Sequence, residues 1–436
     1  MRILTGAVQL LTLLALVALP VTVGAFLGAW LTDWWGFTPA WIALGITVGA
    51  AALVGGYMRA LKRFQGFYTR SVASGLNRVL ASGVPERTLG LDPQDAGLEN
   101  VIVFSDQHKG IRNPADDFWR AERAYCAALA HYLELGHRLI VLGDAEELWE
   151  TWSPRKVIAA HEGQGKSLVL EAEFHAQGRY HRIWGNHDLK WSSAAAVKKH
   201  LGTPELFGDG FVVHQGLKLR VQGDGDRPGG VLFLVHGHQG TADSEAIAVV
   251  SRLVIRLFGE LQRLLKRGWN TPVNDWELRH RHDIAMSDWA QSRSSDGIVL
   301  IAGHTHRPVF GNLPQPLPDD SEIQRLAAEL EAARQAKRPR PELAEKRAAL
   351  ALQYGKKNWG AGGAPPAVRM KTPSYFNTGC CSFADGDVTG LEIANGEIRL
   401  VRWLDNDGHP KPHVLDGARA KLRDVFAEVQ RGPAGP

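Results

Sequence analysis

The side chains best suited to chemistry fall in five short groups: Asp106-Gln-His108, Gly143-Asp144, Gly185-Asn186-His187-Asp188, His236-Gly-His238 and Gly303-His304-Thr-His306. Carboxylate, amide oxygen and imidazole without any thiolate suit Mn, Fe or Zn, and argue against a structural zinc knuckle. Each group follows a short apolar run: Val101 to Phe104, Leu139 to Leu142, Ile183 and Trp184, Val231 to Val235, Ile298 to Ala302. Runs of that length and β-branched content predict strands buried on both faces, with the polar residues on loops at the strand ends. Ligands of open α/β sheets gather at the carboxyl ends of strands, so one shared rim would unite all five groups.

Asp106 and His108 stand two apart, and if strand geometry persists through them they point the same way and grip one ion. Asp144 is a lone carboxylate among histidines, suited to bridging two ions. Asn186 offers a neutral carbonyl oxygen; His236, His304 and His306 offer imidazoles. Two ions about 3.5 to 4 Å apart are the usual device for in-line attack on phosphorus. His238, two residues after His236, is read either as facing the substrate or as a support beside that ligand. Arg307 follows His306 directly and is either a planar fork for phosphate or a loop residue facing solvent.

In order, the motifs D-x-H, G-D-x-x-D/E, G-N-H-D/E, H and G-H-x-H resemble those of the calcineurin-like metallophosphoesterase superfamily, over roughly Asn100 to Trp403. The resemblance implies an α/β fold of two mixed β-sheets packed as a sandwich with flanking helices. By motif position it implies one ion held by Asp106, His108, Asp144 and His306, and another by Asp144, Asn186, His236 and His304. Two divalent ions follow, manganese first, with iron or zinc as the other options. His187 is implied to be a catalytic residue rather than a ligand, stabilising the transition state or protonating the leaving oxygen, with Asp188 orienting it. Glu147 fills the last place of the second motif, where the family often has Asp. The activity implied is hydrolysis of a phosphomonoester or phosphodiester by metal-activated water. One branch, the nucleotide-sugar-lipid pyrophosphatase of lipid A synthesis, looks similar over Gly303 to Pro308, but it carries arginine where this chain has His187. That substrate is one alternative; a catalytically inactive membrane scaffold with the same fold is another.

These groups need a frame, and the frame starts with a membrane signal. Ile3 to Leu31 and Phe37 to Met58 carry no charged residue, and only Asp33 is charged between them. Each stretch reaches the ~20 residues a span requires. The first is too long for a cleavable signal peptide, and a second span follows at once. Residues 1–66 therefore read as two transmembrane helices. Arg59, Lys62, Arg63 and Arg70 follow the second span, so the positive-inside rule puts the catalytic domain on the cytoplasmic side. The substrate expected is a phosphate ester, with a lipid-linked ester as one option. A net charge of +4 gives no argument for nucleic acid, and none is expected as a partner. Three cysteines, two of them adjacent at Cys380 and Cys381, make no disulfide framework and are assigned packing roles.

Residues 67–97 read as a linker with a short helix, 98–407 as the phosphoesterase domain and 408–436 as a C-terminal tail of helix and disorder. Helical insertions are expected at about 241–290 and 317–360. Within the first, Val250, Leu253, Val254, Leu257, Leu261, Leu264 and Leu265 repeat at a helical period opposite Arg252, Arg256, Arg263 and Arg267. That helix either packs its apolar side on the domain or lies on an anionic membrane surface. Alternation on both sides of Asn395-Gly396 predicts a hairpin with a type I′ turn. A similar alternation over Phe211 to Val221 predicts two more strands.

Overall fold

The computed structural model describes residues 68–90, 99–113, 116–149, 151, 153–163, 165–223, 228–240, 276–311, 313–314, 329, 373–383, 385–405 and 408–431. Two compact units divide the chain, residues 1–70 with 268–276 and residues 71–267 with 277–436. Of the first, only 68–70 and 276 are described; both sheets and the candidate site belong to the second.

In chain order the elements are helix α1 (68–81), β1 (Glu86–Thr88), β2 (Val101–Phe104), α2 (Glu122–Glu134), β3 (Arg138–Leu142), α3 (Pro154–His161), α4 (Ser167–Ala176) and β4 (Tyr180–Ile183). There follow α5 (Ala194–His200), β5 (Gly216–Val221), β6 (Gly230–Val235), α6 (Trp276–Ser292), β7 (Ile298–Ala302), β8 (Pro308–Phe310), β9 (Leu313–Pro314) and β10 (Tyr375–Thr378). The chain closes with β11 (Val388–Ala394), β12 (Glu397–Leu404), β13 (Lys411–Lys421) and α7 (Leu422–Arg431). One sheet runs β1-β5-β6-β7-β10-β8-β9, the other β13-β12-β11-β2-β3-β4. Both are mixed: β2, β3 and β4 are parallel, as are β6, β7 and β10, while hairpins and antiparallel partners flank them.

The strand period of two sorts the core into layers. On β2, Val101 and Val103 face the space between the sheets, where they join Ile140, Leu142, Leu217, Leu232, Leu234, Val299 and Ile301. Their neighbours Ile102 and Phe104 face the other way, onto a layer that includes Tyr125 and Leu129 of α2 and Leu168 of α4. Strands buried on both faces thus explain the unbroken apolar runs ahead of each polar group. The two-sheet α/β sandwich expected from the sequence is what the structure shows.

Three expectations are corrected. The segment assigned to a C-terminal tail belongs to the domain: β13 pairs antiparallel with β12, and α7 buries Leu422, Val425, Phe426 and Val429 in the inter-sheet core. The spacing of those four residues is one face of a helix. Lys411 to Lys421 carries little apolar alternation of its own, and an open edge on β12 supplies its partner instead. The linker likewise contributes an edge strand, since β1 pairs parallel with β5. Of the two strands expected over Phe211 to Val221, only β5 forms; His214 makes an isolated bridge to Ile183. The Asn395-Gly396 hairpin forms as expected, with positive φ of 53° and 75° at its two central residues, as a type I′ turn requires.

Among the described residues no helix is long and apolar enough to cross a membrane. The expected spans over 1–66 lie outside the described residues, as do 241–275 and, apart from residue 329, the insertion at 317–360. The end of the first insertion is described and is helical, as part of α6.

Candidate metal centre

All five polar groups meet at one end of the sandwich, where β2, β3, β4, β6 and β7 end. The loops after β2 and β3 continue the parallel pairing of their strands: Asp106 N donates to Gly143 O at 3.1 Å and His108 N to Asp144 O at 2.8 Å. Strand geometry does not itself persist, contrary to the expectation for Asp106 and His108. Their φ values are 55° and 50°, and Asp144, His304 and His306 are also positive at 49°, 68° and 55°. The left-handed region costs a non-glycine residue on the order of 1 kcal/mol or more. Five such residues among the candidate ligands mark a rim whose backbone is shaped for side-chain convergence rather than for local comfort.

Two glycines permit that convergence. A Cβ on Gly185 would stand 2.2 Å from Asp144 Oδ1, and one on Gly303 would stand 2.3 Å from Ser105 Oγ and 2.5 Å from Asp106 Oδ2. Only a residue without a side chain lets the loops close to this distance.

Two groups of potential ligands share a border. Asp106, His108 and His306 form one, and Asp144, His236 and His304 the other. Asp144 Oδ2 lies 3.1 Å from His236 Nε2 and 3.8 Å from His108 Nε2, so its carboxylate spans both. Asn186 Oδ1 is 3.1 Å from His236 Nε2, and His306 Nε2 is 3.2 Å from Asp106 Oδ1. His108, Asp144 and His187 make a third, overlapping group.

The hydrogen bonds around these groups show what they are built to hold. His236 Nδ1 donates to Leu142 O at 2.6 Å, which turns Nε2 toward Asp144 and Asn186, both acceptors, where a proton or a metal ion can sit. His108 Nδ1 is 3.0 Å from Glu147 Oε2, and its Nε2 faces His306 Nε2 at 3.1 Å. Asp106 Oδ2 accepts from His304 N at 2.9 Å and from Ser105 Oγ, while buried Oδ1 accepts no hydrogen bond among the described residues. Lone pairs that converge in a buried space call for cations between them. The residues therefore suit a dinuclear metal site of oxygen and nitrogen ligands.

The titration of the histidines expresses the same demand for positive charge. Burial pulls His108 down, yet the hydrogen bond it donates to Glu147 and the charges of Asp144, Glu147 and Asp106 push it up to about 10. His236 is also pulled down by burial but raised to about 9, chiefly by Asp144 and Asp106. Burial keeps His306 down at about 4 and His304 well below its ordinary value, so both present neutral imidazoles, the form that binds metal.

His187 lies beside the cluster. Its ring stacks on Trp149, with centroids 4.1 Å apart and planes 17° from parallel, and meets His108 edge-on at 4.6 Å. Trp149 is itself fixed by a hydrogen bond from Nε1 to Asn186 O at 2.7 Å. The residue that orients His187 is Glu147, whose Oε2 lies 2.7 Å from Nδ1. Asp188, expected in that role, is turned away: its carboxylate accepts from Gly185 N at 2.5 Å and Ala145 N at 3.0 Å. It thereby ties the loop of Asn186 to that of Asp144. Burial and the Asp144 charge raise Asp188 to about 6, against the pull of Arg182 3.7 Å away. Glu147 is thus the residue whose importance the motif understated, because its place three residues after Asp144 was visible but its two histidine partners were not.

The remaining candidates sit at the margin. His238 is buried with its ring 5.4 Å from that of His236 and 5.2 Å from Trp184, outside the three ligand groups. Burial lowers it to about 3 and keeps it neutral. Arg307 does not face solvent: it is 1 % exposed and paired with Asp283 of α6 at 3.4 Å. Asp283 also accepts from Thr305 Oγ1 and Tyr375 Oη, each at 2.9 Å, so α6 is locked to the His304–His306 loop. No motif announced Asp283, which lies in a helix without a readable pattern. The cysteines are free and, for Cys380 and Cys381, buried. Cys381 N donates to Ser105 O at 3.1 Å, a packing contact behind Asp106.

Comparison with models of known protein families and with curated proteins finds no match to this chain.

Proposed function

We propose that the protein is a metal-dependent phosphoric ester hydrolase of the calcineurin-like metallophosphoesterase type, acting on a phosphomonoester or phosphodiester. The observation that carries this reading is the Asp144 carboxylate standing between two His/Asp groups, one with Asp106, His108 and His306, the other with His236 and His304. Asn186 completes the second group. Two divalent ions, manganese before iron or zinc, would supply Lewis acidity toward the phosphoryl oxygens and a water activated for in-line attack.

The protein's own residues divide the rest of the work. Glu147 accepts from His108 and His187 with one oxygen, so the ligand and the proton donor are positioned together. A carboxylate partner favours the protonated His187 ring, the form that can give a proton from Nε2 to a leaving alkoxide. Trp149 holds that ring flat and shields one face from water. Asp188 and Arg182 act further back, keeping the Asn186 and Asp144 loops in register.

A lipid-linked ester at the cytoplasmic face of a membrane is the substrate we favour, supported by the two charge-free stretches in residues 1–66. The test is a panel of 4-nitrophenyl phosphate, bis-4-nitrophenyl phosphate and a total lipid extract, given to detergent-purified, Mn-supplied protein with products identified by mass. Release of phosphate or a phosphorylated head group is expected. Equal turnover of lipid and soluble esters would remove the lipid preference, and no turnover together with no bound metal would favour a scaffold.

A further inference from the structure

Helix α6 carries one face toward the candidate centre. His282 Nε2 bonds to Gly237 O at 2.6 Å, and its ring stands 5.1 Å from that of His304. Asp283 holds Arg307, Thr305 and Tyr375. Met286 packs against Gly237, where its Sδ would lie 3.3 Å from an added Cβ. Residues three, four and seven apart share a helix face, and the residue one turn before His282 and Asp283 on this face is Arg279. Its side chain is half-buried and feels the charges of Asp106 and Asp283, while its own charge acts on His306. Among the described residues it makes no hydrogen bond or ion pair. A guanidinium desolvated beside candidate metal ligands, with its planar fork unpaired among the described residues, suits an anion.

We propose that Arg279 binds a non-bridging oxygen of the substrate phosphate, taking the role that its sequence position suggested for Arg307. The contacts suggest the division of labour: Asp283 holds Arg307 in the support under the His304–His306 loop, while Arg279, one turn along the same face, has no such partner among the described residues. Because α6 is locked by His282 and Asp283, the guanidinium is carried on a rigid element rather than a loop. The inference rests on the phosphoester reading of the site.

The test uses Arg279→Ala and Arg279→Lys in the full chain. Calorimetry measures inorganic phosphate binding to Mn-supplied protein, and steady-state kinetics with 4-nitrophenyl phosphate separate KM from kcat. Loss of one charge-assisted fork should weaken phosphate binding and raise KM about 10- to 100-fold in the alanine variant. Lysine should restore part of this as a point charge, and bound Mn and thermal midpoint should stay at the native values. Phosphate binding within twofold of native in Arg279→Ala overturns the proposal. So does loss of Mn or of folding in both variants, which would make the residue structural. Failure of the phosphoesterase reading looks different: the native protein would turn over no ester, while the effect of Arg279 on phosphate binding persists.

Discussion

Replacing Glu147 by glutamine keeps the shape of the side chain and removes the single oxygen that serves two imidazoles. Oε2 lies 3.0 Å from His108 Nδ1 and 2.7 Å from His187 Nδ1, and the carboxylate is 13 % exposed, so solvent offers little compensation. A hydrogen bond to a charged group contributes about 1.5–3 kcal/mol. An amide oxygen can still accept from one ring, but it carries no charge and cannot anchor both in the same way. Loss of one such bond, at about 1.4 kcal/mol per factor of ten, should weaken Mn²⁺ binding at the His108 side about 10- to 100-fold. At saturating Mn²⁺ turnover should remain depressed, since His187 has lost the partner that favours its protonated form. Equilibrium dialysis against Mn²⁺ and turnover of 4-nitrophenyl phosphate measure the two effects separately. Native metal affinity with native turnover in Glu147→Gln would refute the assignment of Glu147 as the shared anchor.

The remaining predictions concern roles and stability. His187→Ala should keep both metal ions and lose turnover by ~10²-fold or more, as expected of a positioned proton donor; loss of metal instead would make His187 a ligand. Asn186→Ala should weaken one ion and leave the other, visible as two unequal steps in a metal titration. Deleting residues 411–436 removes four buried side chains of α7 at about 1.5–3 kcal/mol each, comparable with the whole stability of a domain. That truncation should yield insoluble protein; a soluble product with a near-native melting midpoint would show that β13 and α7 are dispensable.

Much of the site was legible because its ligands follow strands whose apolar runs leave little doubt of their ends. Val101 to Phe104 and Ile298 to Ala302 are buried throughout, and the polar residues after them are where the chain turns. What sequence could not convey was conformation past those ends. Positive φ at Asp106 and His108 accompanies the pairing of their loop with that of Gly143 and Asp144, a long-range event that no spacing encodes. The exchange of roles between Asp188 and Glu147 has the same origin: Asp188 is the chain neighbour of His187 and Glu147 stands 40 residues before it, yet the fold brings Glu147 to the ring. The strand Lys411–Lys421 was hidden because its order comes from an open edge on β12 rather than from its own pattern. Asp283 and Arg279 were hidden more deeply, since α6 carries a mixed run of charge and aromatic residues with no motif.

The central claim is that one carboxylate, Asp144, unites two ions in a centre that hydrolyses phosphate esters. Its most direct test is a titration of metal-stripped protein with Mn²⁺, following turnover of 4-nitrophenyl phosphate against equivalents added. Turnover should rise to saturation at two equivalents per chain, and Asp144→Asn should abolish it. Saturation at one equivalent, or bound Mn²⁺ without turnover of any phosphate ester, would contradict the account.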